Sequence, residues 1–216
     1  MKKESLKKCY IAFGVILAFV LWTVLVLYVD VKPIGPQGSE VGFATLNEFF
    51  HNLTSVHMSL YFITDWLSLI PLCFIVGFAI AGLFQWIKRR KLSKVDYSLF
   101  VLGGFYIVVM AVYILFEFVV VNYRPILIDG FLEASYPSST TMLVMCVMPT
   151  AIMQLTDRIK NNIIRVSVAV ILSLFSVFMV VGRLLSGVHW LSDIIGGALI
   201  SCGLVMLYCA FVSIKK

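Results

Sequence analysis

Six apolar runs follow one another along the chain, separated by short polar segments. A helix crossing a bilayer needs about 20 predominantly apolar residues. The runs extend from about Cys9 to Val29, Leu60 to Ile87, Tyr97 to Val121, Ser138 to Leu155, from the end of the basic loop 158–165 to about Val181, and from His189 to Ile214. Pro71 predicts a kink in the second run and Pro149 an interruption of the fourth, because proline withholds a backbone donor. The first run follows a basic flank but is too long for the apolar part of a signal peptide, and no small-residue cleavage pattern comes after it. It is expected to be a retained span. Between Asp30 and His57 lies the longest polar interruption, opening on the turn-rich stretch Lys32-Pro33-Ile34-Gly35-Pro36-Gln37-Gly38. Within it Phe43, Leu46, Phe49, Phe50 and Leu53 recur at helical spacing, which predicts a short amphipathic helix on the membrane surface. The expected fold is all-α: one domain over residues 1–216, a six-transmembrane helix bundle with that amphipathic segment between spans one and two.

Composition agrees with the pattern. Hydrophobic residues make up 61% of the chain and charged residues 13%, against roughly half and a quarter in soluble domains. The formal charge of +6 takes its meaning from distribution. With six spans, both termini share a side with the loops 88–95 and 157–165. That side carries all of the 17 lysines and arginines except Lys32, Arg124 and Arg183. Such asymmetry places the basic side, and both termini, in the cytoplasm, and the charge is a topology signal with no nucleic-acid partner implied. Short loops and basic inner flanks suit a bacterial plasma membrane. The five cysteines lie in or beside apolar runs and form no metal-type pair, so they are expected to be packing residues. No metal or other cofactor is expected.

All three histidines (His51, His57 and His189) fall on the outer side, together with Arg124 and Arg183. Arginine at the outer ends of spans runs against the orienting trend, and an anionic ligand accounts for it. His189 and Asp193 are four apart, so on one helix they share a face and the carboxylate can orient the imidazole. Tyr136-Pro137-Ser138-Ser139-Thr140-Thr141 reads as a helix start whose free amides and hydroxyls suit a phosphate. Arg124 and Arg183 would add forked, charge-assisted hydrogen bonds. Glu117, seven residues before Arg124, is expected on the same helical face about 10 Å deeper.

These segments resemble the three motifs of the type 2 phosphatidic acid phosphatase superfamily of membrane lipid phosphatases, which shares its core with vanadium haloperoxidases. The third motif, Ser-Arg-x5-His-x3-Asp, is matched by Arg183, His189 and Asp193, with Gly182 where serine is usual. The first, Lys-x6-Arg-Pro, is matched by Arg124-Pro125 with Glu117 in place of lysine. The second, Pro-Ser-Gly-His, is matched by Pro137 and Ser138, with Ser139 for glycine and Thr140 for histidine. The resemblance implies a six-span enzyme with an outward site that hydrolyses a lipid phosphate or diphosphate through a phosphohistidine. It makes His189 the nucleophile, Asp193 its orienting partner, and Arg124, Ser138 and Arg183 phosphate-binding residues, to which the helix start adds Ser139 and Thr140. Threonine at 140 cannot supply the proton that the family's histidine gives the leaving group. A polyprenyl diphosphate, whose leaving group is phosphate itself, is therefore favoured, and His51 or His57 could fold over the site as a substitute acid. Two other readings stay open: a non-catalytic lipid-phosphate binding or translocating protein, motivated by Glu117 and Thr140, and a lipid phosphotransferase.

Overall fold

The computed structural model describes residues 3–215. Its helices are α1 (Lys3–Tyr28), α2 (Ala44–Thr54), α3 (Met58–Leu67), α4 (Leu69–Arg89), α5 (Tyr97–Phe118), α6 (Ser139–Thr156), α7 (Asn162–Leu185) and α8 (Leu191–Val212). Taken together, α3 and α4 form one apolar crossing, and with α1, α5, α6, α7 and α8 they give six candidate membrane spans. Two 3-10 turns and three isolated bridges complete the regular structure of the described residues.

Helix α1 runs antiparallel to α8. Ser5 Oγ donates to the Ala210 carbonyl at 2.9 Å at one end, and the Trp22 indole donates to the Ser192 carbonyl at 3.1 Å at the other. Between them Gly203 lets the two backbones close up: a Cβ there would sit 2.7 Å from Ile16 Cγ1. Helix α6 is the most enclosed crossing, packed against α7 and α8. The basic flank expected ahead of the first span is itself helical, from Lys3 onward.

Several expectations are corrected. The second span breaks at Ser68 and not at Pro71, which lies in the first turn of α4 where its missing N–H is tolerated. The fourth span is one continuous helix through Pro149, and the Thr150 hydroxyl donates to the carbonyls of Cys146 and Val147 on that turn. Gly103 and Gly104 provide no close helix contact, since a Cβ built on either has nothing within 4 Å. Gly196 and Gly197 do provide such contact, against the Tyr136 ring and the Ser138 carbonyl. The amphipathic helix exists as α2, but its inward face is not apolar throughout. Phe49 and Leu53 are exposed, while Ala44 and Asn47 are buried.

Candidate active site

Chain segments from four places meet at one end of the bundle. Helix α7 delivers Arg183 in its last turn, and the link 186–190 to α8 carries His189. Gly187 makes that link possible. Its φ is +69°, and a Cβ would lie 2.2 Å from the Ser55 carbonyl oxygen. Gly182, where the resembling family has serine, lets α7 approach α3, since a Cβ would meet Thr64 at 2.8 Å.

His189 is not on a helix with Asp193. Helix α8 begins at Leu191, with Trp190 as its N-cap and Asp193 in its first turn. The Trp190 N–H donates to Asp193 Oδ2 at 3.0 Å, satisfying an otherwise free helix-start amide. His189 Nδ1 lies 3.8 Å from that same oxygen and has no hydrogen-bond partner. The pair therefore approaches through a capping turn. Asp193 is fully buried; its Oδ1 accepts from Asn122 Nδ2 at 3.2 Å and from Ser192 Oγ at 3.4 Å. Asn122 also reaches Ser192 Oγ, which accepts from Asn47 Nδ2 of α2 at 2.9 Å. Asn47 and Ser192 were not singled out by spacing or motif; a polar residue on the α2 face opposite Phe49 and Leu53 is the one sequence signal they left.

Arg124 leaves the loop after α5 and points at the imidazole. Its Nη1 lies 3.5 Å from His189 Nε2, and its Nε pairs with Glu133 at 3.0 Å. Arg183 donates to Thr140 Oγ1 at 2.7 Å and pairs with Asp65 at 3.0 Å. Both guanidinium groups rest against the ring of Tyr61, at 4.8 Å for Arg183 and 5.9 Å for Arg124. Tyr61 thus spaces the two cations, a contact that no motif announced. The two acids face outward: the side chains of Glu133 and Asp65 are 43% and 54% exposed, those of their arginines 11% and 3%. Each arginine is thus paired with a carboxylate more exposed than itself.

A cleft of about 30 Å³ opens here, lined by His189, Arg124, Glu117, Ser139 and the 134–137 segment among others. Ser139 lines the cleft, whereas Ser138 is fully buried and caps α6 through the Thr141 N–H at 3.5 Å. Thr140 meets Arg183 and does not line the cleft. Glu117 and Arg124 do not share a helix. Helix α5 stops at Phe118, and both residues line the cleft with His189. Neither His51 nor His57 lines it: His57 is exposed ahead of α3, and His51 lies 5.4 Å, ring to ring, from Trp190. Trp190 is buried, with its indole donating to the Tyr123 carbonyl at 2.8 Å.

Burial pushes the His189 imidazole down to about 4; the Asp193 carboxylate pulls the other way, and Arg124 adds to the lowering. The ring is neutral at ordinary pH, with Nε2 toward Arg124 and Nδ1 toward Asp193. Among the described residues no group of three or more His, Cys, Asp or Glu side chains is arranged to hold a metal ion.

The competition between Glu133 and a phosphate for Arg124 gives a direct prediction. Glu133→Gln is expected to tighten binding of inorganic phosphate by about 1.5- to 5-fold, the range for an exposed ion pair. Calorimetric titration in detergent checks it; weaker binding would mean that Glu133 supports the anion site.

The bundle carries a cleft with His189 and Arg124 in its wall, and Arg183 lies buried outside that wall against Tyr61 and Thr140. The PAP2 superfamily model matches residues 101–215, more than half of the chain, and the chain belongs to that superfamily. Its phosphatases are hydrolases of lipid phosphates. The transmembrane PAP2-type phosphatidylglycerolphosphate phosphatase of Bacillus subtilis has a similar fold, with a TM-score of 0.64 over 95% of this chain and 97% of that one at 17% identity. No curated protein matches the sequence.

Proposed function

We propose that this chain hydrolyses a lipid phosphate or diphosphate on the extracytoplasmic face of a plasma membrane, with His189 as nucleophile. The observation that carries the reading is the approach of Arg124 Nη1 to within 3.5 Å of His189 Nε2 inside a cleft. A phosphate that takes over that guanidinium N–H lies against the Nε2 lone pair that now accepts it. Nε2 bonds to phosphorus as the P–O bond to the leaving group breaks, Arg124 and Arg183 compensate the charge on the equatorial oxygens, and Asp193 stabilises the imidazolium as it forms. Water then releases phosphate from the phosphohistidine. The outward placement rests on the basic residues: Lys88, Arg89 and Arg158 lie at the end of the bundle remote from His189.

Thr140 is committed to Arg183 and carries no usable proton. A leaving group that departs without protonation is accordingly favoured, and a prenyl diphosphate provides one. Phosphate release from farnesyl diphosphate is expected to exceed that from dioctanoyl phosphatidic acid, measured with the purified protein in detergent. Equal rates would contradict the preference while leaving the hydrolase reading in place.

A further inference from the structure

We infer that Glu117 is the proton donor to the leaving group, so that this site also turns over lipid phosphate monoesters, more slowly than the diphosphates whose leaving group needs no proton. The inference rests on the hydrolase reading and concerns what fills the role that Thr140 cannot. Geometry narrows the choice. The cleft beside His189 is walled by Tyr113, Phe116 and Glu117 from the end of α5, by Arg124, by the 134–137 segment and by Ser139 and Met142 of α6. Glu117 is the one carboxyl among these lining residues, and the two ion pairs of the arginines use Glu133 and Asp65 in its stead. His51 and His57, the other expected donors, are absent from the lining.

A carboxylate facing the site of an anionic substrate looks at first like a defect. In this cleft, however, it stands where a carboxylic acid can hand its proton to a departing oxygen, opposite a nucleophile that is already neutral. In the first step the Nε2 lone pair forms the N–P bond, and the P–O bond to the alcohol breaks. The departing oxygen takes the proton from Glu117, leaving a carboxylate and a neutral alcohol. In the second step that carboxylate accepts a proton from water as the water oxygen bonds to phosphorus and the N–P bond breaks. Glu117 and His189 return to their starting states, and the net change is ester plus water to alcohol plus phosphate.

A proton donor to the leaving group is recognised by how its loss depends on that group. Glu117→Gln keeps the shape and removes the acid. On dioctanoyl phosphatidic acid, whose alkoxide needs a proton, kcat/KM should fall by about 10²–10⁴-fold. On p-nitrophenyl phosphate, whose phenolate leaves unaided, the fall should stay below about 10-fold, and that activity also reports that the variant is folded. An equal loss on both substrates, or no loss on phosphatidic acid, overturns the assignment. His189→Ala run alongside should lose both activities; its retaining them would remove the hydrolase reading itself, a result separate from the behaviour of Glu117→Gln.

Discussion

His189→Ala is expected to lower kcat/KM for a lipid phosphate by about 10⁴–10⁶-fold, the scale seen when an attacking group is removed and binding alone remains. The size follows from the site. No other side chain places a neutral nitrogen beside Arg124 in the cleft, so nothing substitutes for the lost nucleophile. The pH dependence of the unmutated protein carries a second signature of the same ring. Burial has moved its titration from the ordinary 6.5 down to about 4. The acid limb of kcat/KM should therefore fall near pH 4, and activity should persist at pH 5.5, where an exposed histidine would be largely protonated. Stability follows the same sign. Below about 6.5 the unfolded chain takes up a proton that the folded chain refuses until about 4, so this ring lowers stability as pH falls through that window.

The second large effect is expected at Asp193. Asp193→Ala removes an acceptor from the Trp190 N–H, the Asn122 amide and the Ser192 hydroxyl, all within the protein interior. Stranding buried donors costs about 1–3 kcal/mol each in the worst case, and the start of α8 loses its cap. A loss of about 3 kcal/mol in stability is expected, with the link bearing His189 released from its place. Asp193→Asn separates the two roles. Its amide oxygen can still accept from Trp190, so thermal stability should recover in part. The imidazolium, however, loses its counter-charge, and kcat should remain down by about 10³–10⁴-fold. Thermal unfolding and turnover measured on both variants check this; an active Asp193→Asn would show that the carboxylate is a cap and nothing more.

Much of this architecture was legible before any coordinates. Long apolar runs broken by short basic loops leave few alternatives to a helical bundle, and the spacing of Arg183, His189 and Asp193 pointed to one cluster. The errors have local causes. Placing His189 on a helix with Asp193 followed from reading the apolar run from residue 189, whereas a carboxylate three residues after Trp190 is itself a helix-start signal. Extending the third span to Val121 put Glu117 two turns beneath Arg124. The consecutive valines 119–121 are poor continuers of a helix, and Asn122 is drawn into the buried contacts under Asp193. Asn47, Ser192 and Tyr61 were beyond reach for another reason. Each matters through a partner more than a hundred residues away, and periodicity within one element carries no information about that.

The central claim is that the imidazole of residue 189 takes the phosphoryl group. Its most direct test is rapid acid-free quenching of the protein with a ³²P-labelled lipid phosphate, followed by mapping of the label. The account predicts phosphoryl label on the peptide containing His189, and none on the His189→Ala protein. Label on a different residue, or full turnover by the variant, would contradict it.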